Sequence, residues 1–223
     1  MGRFEKYLNE LSSEYGKGIT FLDIDENIFR TFAKIKVIKN GKVVREITNQ
    51  EFNTYRLKSG ESWDFDQFRD AAFFKQTSKP IIPTVDRIKR IFKNINRRGS
   101  RVVLITAREA FPDMKTFKET FKDIGIPIEK MDIIFYKPTE GLISKYKKKA
   151  IMKYLETGEY RRVRLVDDDI HNIKAFLSIQ NIIPQNIIDK IKEKYNITEP
   201  EAIPTIQFFG LLVKPDGSLK RIE

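Results

Sequence analysis

The sequence has no cysteine and a single histidine, His171, and these two absences remove much chemistry at once. Without thiols there is no thiolate nucleophile, no disulfide framework and no cysteine-ligated zinc, and one imidazole makes no His-rich metal site. A Ser-His-Asp hydrolase would have to recruit His171, which follows an acidic run and precedes Asn172. No G-x-S-x-G elbow exists to carry its serine. Apolar runs never approach the ~20 residues that span a bilayer, and the opening MGRFEKYLNE contains no signal-peptide apolar region. Lys6 stands where a myristoylation signal needs Ser or Thr. The expectation is a cytosolic protein without membrane attachment, whose metal would be a hard cation on oxygen ligands.

What the chain does have is charge. Its 223 residues are 33% charged and 40% hydrophobic, with 42 Lys and Arg against 31 Asp and Glu, a net +11. That length holds one substantial core, or a core with a smaller accessory unit. The basic excess gathers in RIKRIFKNINRRGSR (87–101), KYKKKAIMK (145–153) and YRRVR (160–164). Solvated helix faces explain such stretches, and so does attraction to a polyanion or a phosphorylated substrate.

Along the chain, FEKYLNELSSEYG (4–16) has helical apolar spacing closed by Gly16, and GITFLDID (18–25) reads as a short buried strand. KIKVIKNGKVVREIT (34–48) alternates around Asn40-Gly41, a β-hairpin signal. Residues 49–83 look irregular and aromatic-rich, ending in two prolines. From residue 84 helices and strands alternate: helix 84–97, strand 101–106, helix 113–124, strand 131–136, helix 144–156, strand 162–166, helix 170–179. A short helix (184–195) and a last strand (205–213) follow. The alternation predicts parallel βαβ units, hence an α/β doubly wound sheet over 1–29 and 83–223, interrupted after its first strand by an insert at 30–82.

Ligands of such sheets gather at the carboxyl ends of the strands, near the switch in strand order. The unusual residues lie there. The first strand ends in Asp23-Ile24-Asp25-Glu26, three carboxylates in four positions that repel and lose hydration if buried. Strand 101–106 ends in Thr106, followed by Ala107 and Arg108. Lys147, Lys148 and Lys149 lie early in the helix before the last core strand, and strand 162–166 runs into Asp167-Asp168-Asp169. Carboxylates from two strand ends facing each other need a cation, and Mg²⁺ suits one or two carboxylates plus a phosphate oxygen. One aspartate of the first pair can then attack phosphorus while the other moves a proton. Thr106 and a lysine can cradle the phosphoryl group.

In LDIDEN, VLITAR, KYKKKA and RLVDDD, taken in that order over residues 18–180, the sequence resembles the haloacid dehalogenase (HAD) superfamily of phosphohydrolases. It is also similar to HAD-like proteins of large tailed bacteriophages. The resemblance implies a Rossmann-like core, an insert acting as a cap, and an aspartyl-phosphate intermediate. Asp23 would be nucleophile and metal ligand, and Asp25 the general acid/base with its backbone carbonyl on the metal. Thr106 would bind the phosphoryl group, and Asp167 with Asp168 would complete a Mg²⁺ site. Asn27 departs from the family's usual Thr or Val. Lys148 is preferred as the phosphate-binding lysine, with Lys149 a close alternative and Lys147 a poorer fit. Thr106, Ala107, Arg108 and Lys149 are the candidate substrate contacts. The partner is then a phosphorylated small molecule or a nucleic-acid end.

Plainer readings stand beside these. Asp-x-Asp can cap a turn, Thr106 can be a capping hydroxyl, and Asp169 is expected to be the N-cap of the helix after it. Arg108 is either a substrate contact or a salt-bridge partner for the acidic loops. His171 is expected on the helix surface, Asn172 as a support for the acidic loop, and Trp63, Phe65, Phe68, Phe73 and Phe74 as the insert's own small core. A phospho-receiver domain and a non-catalytic protein with the same fold are the competing functions.

Overall fold

The computed structural model describes residues 16–52, 54–95, 99–136, 143–198 and 204–223, so the helix expected at 4–16 lies outside the described residues. In chain order the strands are β1 Lys17–Leu22, β2 Phe29–Arg30, β3 Ile35–Lys39, β4 Lys42–Ile47, β5 Glu61–Asp64 and β6 Lys79–Pro80. They continue with β7 Arg101–Thr106, β8 Asp132–Phe135, β9 Tyr160–Asp167, β10 Gln207–Val213 and β11 Leu219–Ile222. The α-helices are α1 Asn49–Phe52, α2 Asp66–Arg69, α3 Ala71–Thr77, α4 Ile82–Ile95, α5 Met114–Asp123, α6 Ile143–Leu155, α7 Ile170–Leu177 and α8 Gln185–Lys194.

The main sheet has six strands in the order β11-β10-β9-β1-β7-β8, parallel except for β11 at one edge. Strands buried on both faces should be continuously apolar; β1 from Ile19 and β7 from Val102 come close to this, whereas β9 carries Arg161, Arg162 and Arg164 among Val163, Leu165 and Val166. Alternate residues feed two separate cores. Leu22, Val102, Leu104 and Val166 face α4 and α5, packing with Val85, Ile88, Phe117 and Phe121. Ile19, Phe21, Val103, Ile105, Val163 and Leu165 face the other way, onto Ile151, Ile173, Phe176, Ile187 and Ile191 of α6, α7 and α8. Helix α7 approaches β10 so closely that a Cβ on Gly210 would meet Ile173 Cγ2 at 2.6 Å. A mixed α/β chain with helices on both faces, compatible with a Rossmann-like fold, matches the expected fold class.

From β1 the chain steps outward to β7 and β8, then crosses back to place β9 on the other side of β1. The change of direction falls between β1 and β9, where the flanking helices also change face. In sheets of this kind the carboxyl ends of the strands at such a switch are where ligands bind. Asp23 follows β1 there, and Asp167 ends β9.

The insert leaves the core through β2 and returns through β6, which pair antiparallel with Phe29 opposite Pro80. Between them lies a three-stranded antiparallel sheet in the order β4-β3-β5. The predicted hairpin is β3–β4, turning at Asn40 (φ 52°) and Gly41 (φ 73°), the positive pair a type I′ turn demands. Residues 49–83 are more ordered than the sequence pattern suggests: they add β5, α1, α2 and α3. These elements are too short for a periodic signal to emerge. Ile35, Ile47, Phe52 and Phe68 form a third core, with Tyr55, Trp63, Phe65 and Phe73 packed against it. The expectation for the aromatic residues therefore holds for Trp63, Phe65, Phe68 and Phe73, whereas Phe74 belongs to the main core. Among the described residues no helix is long and apolar enough to cross a membrane.

Candidate functional site

The clustered carboxylates of the first loop separate because each finds its own partner. After β1 the backbone remains tied to the sheet through Asp23 N–H, which donates to Val166 O at 3.1 Å. It then turns sharply, with Ile28 and Phe29 N–H both donating to Ile24 O and Glu26 in the left-handed region at φ 52°. Asn27 is fully buried and pins this turn, its Nδ2 donating to Asp23 O (3.0 Å) and Val166 O (2.8 Å). Asn27 thus ties β1 to β9 at the strand ends. Glu26 accepts from Thr31 N–H at 3.1 Å.

Asp23 faces Lys147, whose Nζ lies 3.1 Å from Asp23 Oδ1 and 2.6 Å from Asp167 Oδ2. One ligand oxygen each from Asp23, Asp167 and Asp168 lies within 4.8 Å of the others. Asp23 and Asp167 are buried and Asp168 is partly exposed. Asn172 Nδ2 donates to Asp167 Oδ1 at 3.1 Å, and Asp169 N–H donates to the same oxygen at 3.0 Å. Asp167 is therefore held from several sides, and Asn172 supports the acidic loop as expected. Asp169 caps α7, accepting from His171 N–H at 2.8 Å, and His171 itself is exposed.

Three carboxylates against one ammonium at a largely buried site strain the charge balance. Burial, then the neighbouring Asp167 and Asp25 charges, push Asp23 up to about 7 despite the opposing pull of Lys147. Burial, with Asp167 and Asp23, pushes Asp168 up to about 8. Lys147 itself is driven well above its ordinary value, because Asp167 and Asp23 overcome its burial. An all-oxygen donor set with this excess of negative charge fits a divalent hard cation. The Thr106 hydroxyl, fully buried at the end of β7 beside β1, has no hydrogen-bond partner among the described residues. Its unmet capacity fits a phosphoryl oxygen.

These shifts set a pH dependence. In the cation-free folded protein Asp23 and Asp168 keep protons up to about 7 and 8, against 3.8 for the ordinary carboxyl. The unfolded chain sheds those protons first, so stability declines as pH rises from about 4 through 8. Asp25 has the opposite sign: its depressed value stabilises above the ordinary carboxylate range and is lost in acid. In EDTA the melting temperature should fall from about pH 5.5 to 8.5, and saturating Mg²⁺ should raise it more at pH 8 than at pH 6. A Mg²⁺ shift of equal size at both pH values, followed by calorimetry, would contradict the assignment of these carboxylates.

Several sequence-derived positions require correction. Lys148 does not reach the cluster: its Nζ donates to Ser178 Oγ at 2.9 Å. Lys147 takes the place, because it shares the buried face of α6 with Ile151 and Leu155, at i+4 and i+8, while Lys148 is turned about 100° away. That apolar stripe was the signal that could have chosen between them. Lys149 is exposed and points along a groove beside β8 rather than to Asp23. The carboxylate of Asp25, whose backbone carbonyl was the expected metal contact, stands outside the cluster because Arg108 holds it: Nε donates to Oδ2 at 2.8 Å and Nη2 to Oδ1. Burial works to raise Asp25, but the Arg108 charge and hydrogen bonds prevail and hold it below the ordinary carboxylate range. Arg108 is 1% exposed and its Nη1 also donates to Phe68 O at 2.9 Å, so the salt-bridge reading describes it, not the substrate contact. Ala107 follows Thr106 at a bend and is partly buried. A scan against protein-family models and a search of curated proteins both return no match.

Proposed function

We propose that the protein is a Mg²⁺-dependent phosphomonoesterase of the HAD type, cleaving a phosphate ester through an aspartyl-phosphate on Asp23. The observation that carries this reading is the convergence of Asp23, Asp167 and Asp168 within 4.8 Å, with Lys147 bridging Asp23 and Asp167. Asp23, Asp167 and Asp168 would hold the cation, which supplies positive charge to the phosphoryl oxygens and keeps Asp23 ionised. The Asp23 carboxylate forms a bond to phosphorus as the bond to the ester oxygen breaks. Thr106 Oγ1 and Lys147 Nζ donate to the oxygens on which charge accumulates. Water then attacks the acyl phosphate and restores Asp23.

Asp25 takes the proton-transfer role in this reading only when Arg108 is drawn off it. A carboxylate with a bidentate guanidinium binds a proton poorly. The insert supplies a means for that release. Its Phe68 carbonyl holds the far side of Arg108, so a displacement of the insert loosens the clamp, as a cap that opens and closes would. The same clamp favours a second reading, a protein that binds a phosphorylated ligand without hydrolysing it.

A screen of mononucleotides, sugar phosphates and end-phosphorylated DNA and RNA, with Mg²⁺ and with EDTA, separates the two. Mg²⁺-dependent phosphate release supports the hydrolase. Binding without release supports the second reading. Release that survives EDTA contradicts the metal site.

A further inference from the structure

Beside the acidic cluster, along the edge strand β8, runs a groove of about 580 Å³ lined by Ile134, Tyr136, Tyr146, Lys149, Lys153 and Tyr154, among others. One wall is the end of β8 and the other is a single stripe of α6, because Tyr146, Lys149, Ala150, Lys153 and Tyr154 recur at spacings of three and four, with Thr157 in the turn just past the helix. The adjoining turn of the same helix buries Lys147 in the candidate site. One helix therefore presents a phosphate-binding lysine to the cluster and a lysine-tyrosine stripe to the groove.

The groove starts where the candidate site ends. Tyr136 N–H donates to Thr106 O at 3.3 Å, placing this tyrosine beside the proposed phosphoryl cradle. Its hydroxyl is buried without a hydrogen-bond partner among the described residues, and burial raises its pKa while the charges of Lys147, Asp23 and Asp167 act on it. Tyr136 and Tyr146 stack at 5.6 Å between ring centroids and 21° between planes, and Tyr146 remains 42% exposed. Lys149 and Lys153, one helical turn apart, are both exposed, and neither side chain has a carboxylate partner among the described residues. A rigid aromatic surface with cations at one-turn spacing is the chemistry that binds successive bases and phosphates of a single strand. A sugar phosphate or free mononucleotide would leave most of this length unused.

We propose that this groove receives a single-stranded nucleic acid whose terminal phosphate lies at Asp23, the adjoining base on Tyr146 and the next backbone phosphates on Lys149 and Lys153. Placement of the terminal phosphate rests on the phosphohydrolase reading, whereas the groove contacts do not. The overall charge of +11 adds a non-specific attraction of the same sign.

The test measures binding, by fluorescence anisotropy, to the full chain carrying Asp23→Asn, so that turnover plays no part. Labelled hexanucleotides of DNA and of RNA, each with a 3′- or a 5′-phosphate, are compared with mononucleotides over a range of salt. The hexanucleotide should bind at least about tenfold more tightly than the mononucleotide. Lys149→Gln combined with Lys153→Gln should flatten the salt dependence by about 1.4 in log–log slope, two single-strand phosphates at about 0.7 each. Tyr146→Ala should weaken binding about tenfold at every salt concentration. Hexanucleotide affinity no better than the mononucleotide's, or a salt slope unmoved by the lysine changes, would overturn the proposal. If the groove variants behave as expected but the wild-type chain releases no phosphate from any ester, the hydrolase reading fails and the groove stands.

Discussion

On the proposed mechanism Asp23→Asn should abolish phosphate release, by at least about a thousandfold in kcat, and yet make the cation-free protein more stable at pH 8. The first effect would follow from removing the group that the proposal places as nucleophile, since an amide is a far weaker nucleophile than a carboxylate. The second follows from the charge balance. Asp23 is a buried carboxylate pushed up to about 7 by burial and by Asp167 and Asp25, so at pH 8 its ionised form is unfavourable. Asparagine keeps its shape without that charge, and Lys147 still has Asp167 at 2.6 Å. Turnover assays with calorimetry in EDTA measure both. A variant that loses activity and stability together would mean that Asp23 serves the fold rather than the chemistry.

Arg108→Leu should cost about 3–5 kcal/mol, the usual range when one partner of a buried ion pair is removed. Asp25 is left as a charge in a site where the two side chains are 8% and 1% exposed. The substitution also takes away the donor to Phe68 O and the guanidinium stacked among Phe68 (4.6 Å), Phe74 (5.1 Å) and Phe111 (5.7 Å). The uncompensated Asp25 charge dominates the loss, so pairing Arg108→Leu with Asp25→Asn should recover part of it. The double variant should be less destabilised than the sum of the singles by at least about 1 kcal/mol. Urea unfolding of the four proteins provides the cycle, and strict additivity would show that the two groups do not depend on each other.

The core of the fold was legible because its strands are buried on both faces and its helices are long enough to show a period. The hairpin at Asn40-Gly41 was legible because only certain residues accept positive φ. The acidic strand ends were legible as a site because buried like charges demand a reason. Partner choice was not. Neither Asp25 nor Arg108 announces that they meet across 83 positions of sequence, and adjacent lysines 147, 148 and 149 differ only in helical phase. Asn27 reads as a small departure from a motif, yet its amide ties two strands together. The short elements of 49–83 depend on a local aromatic core that no sequence period reveals.

The central claim is a shared cation between the ends of β1 and β9, and anomalous diffraction from crystals soaked in Mn²⁺ tests it most directly. The prediction is one strong peak within coordination distance of Asp23, Asp167 and Asp168, lost in the Asp167→Asn, Asp168→Asn double variant. Saturating Mn²⁺ with no peak between those carboxylates, or with an equal peak in the double variant, would contradict it.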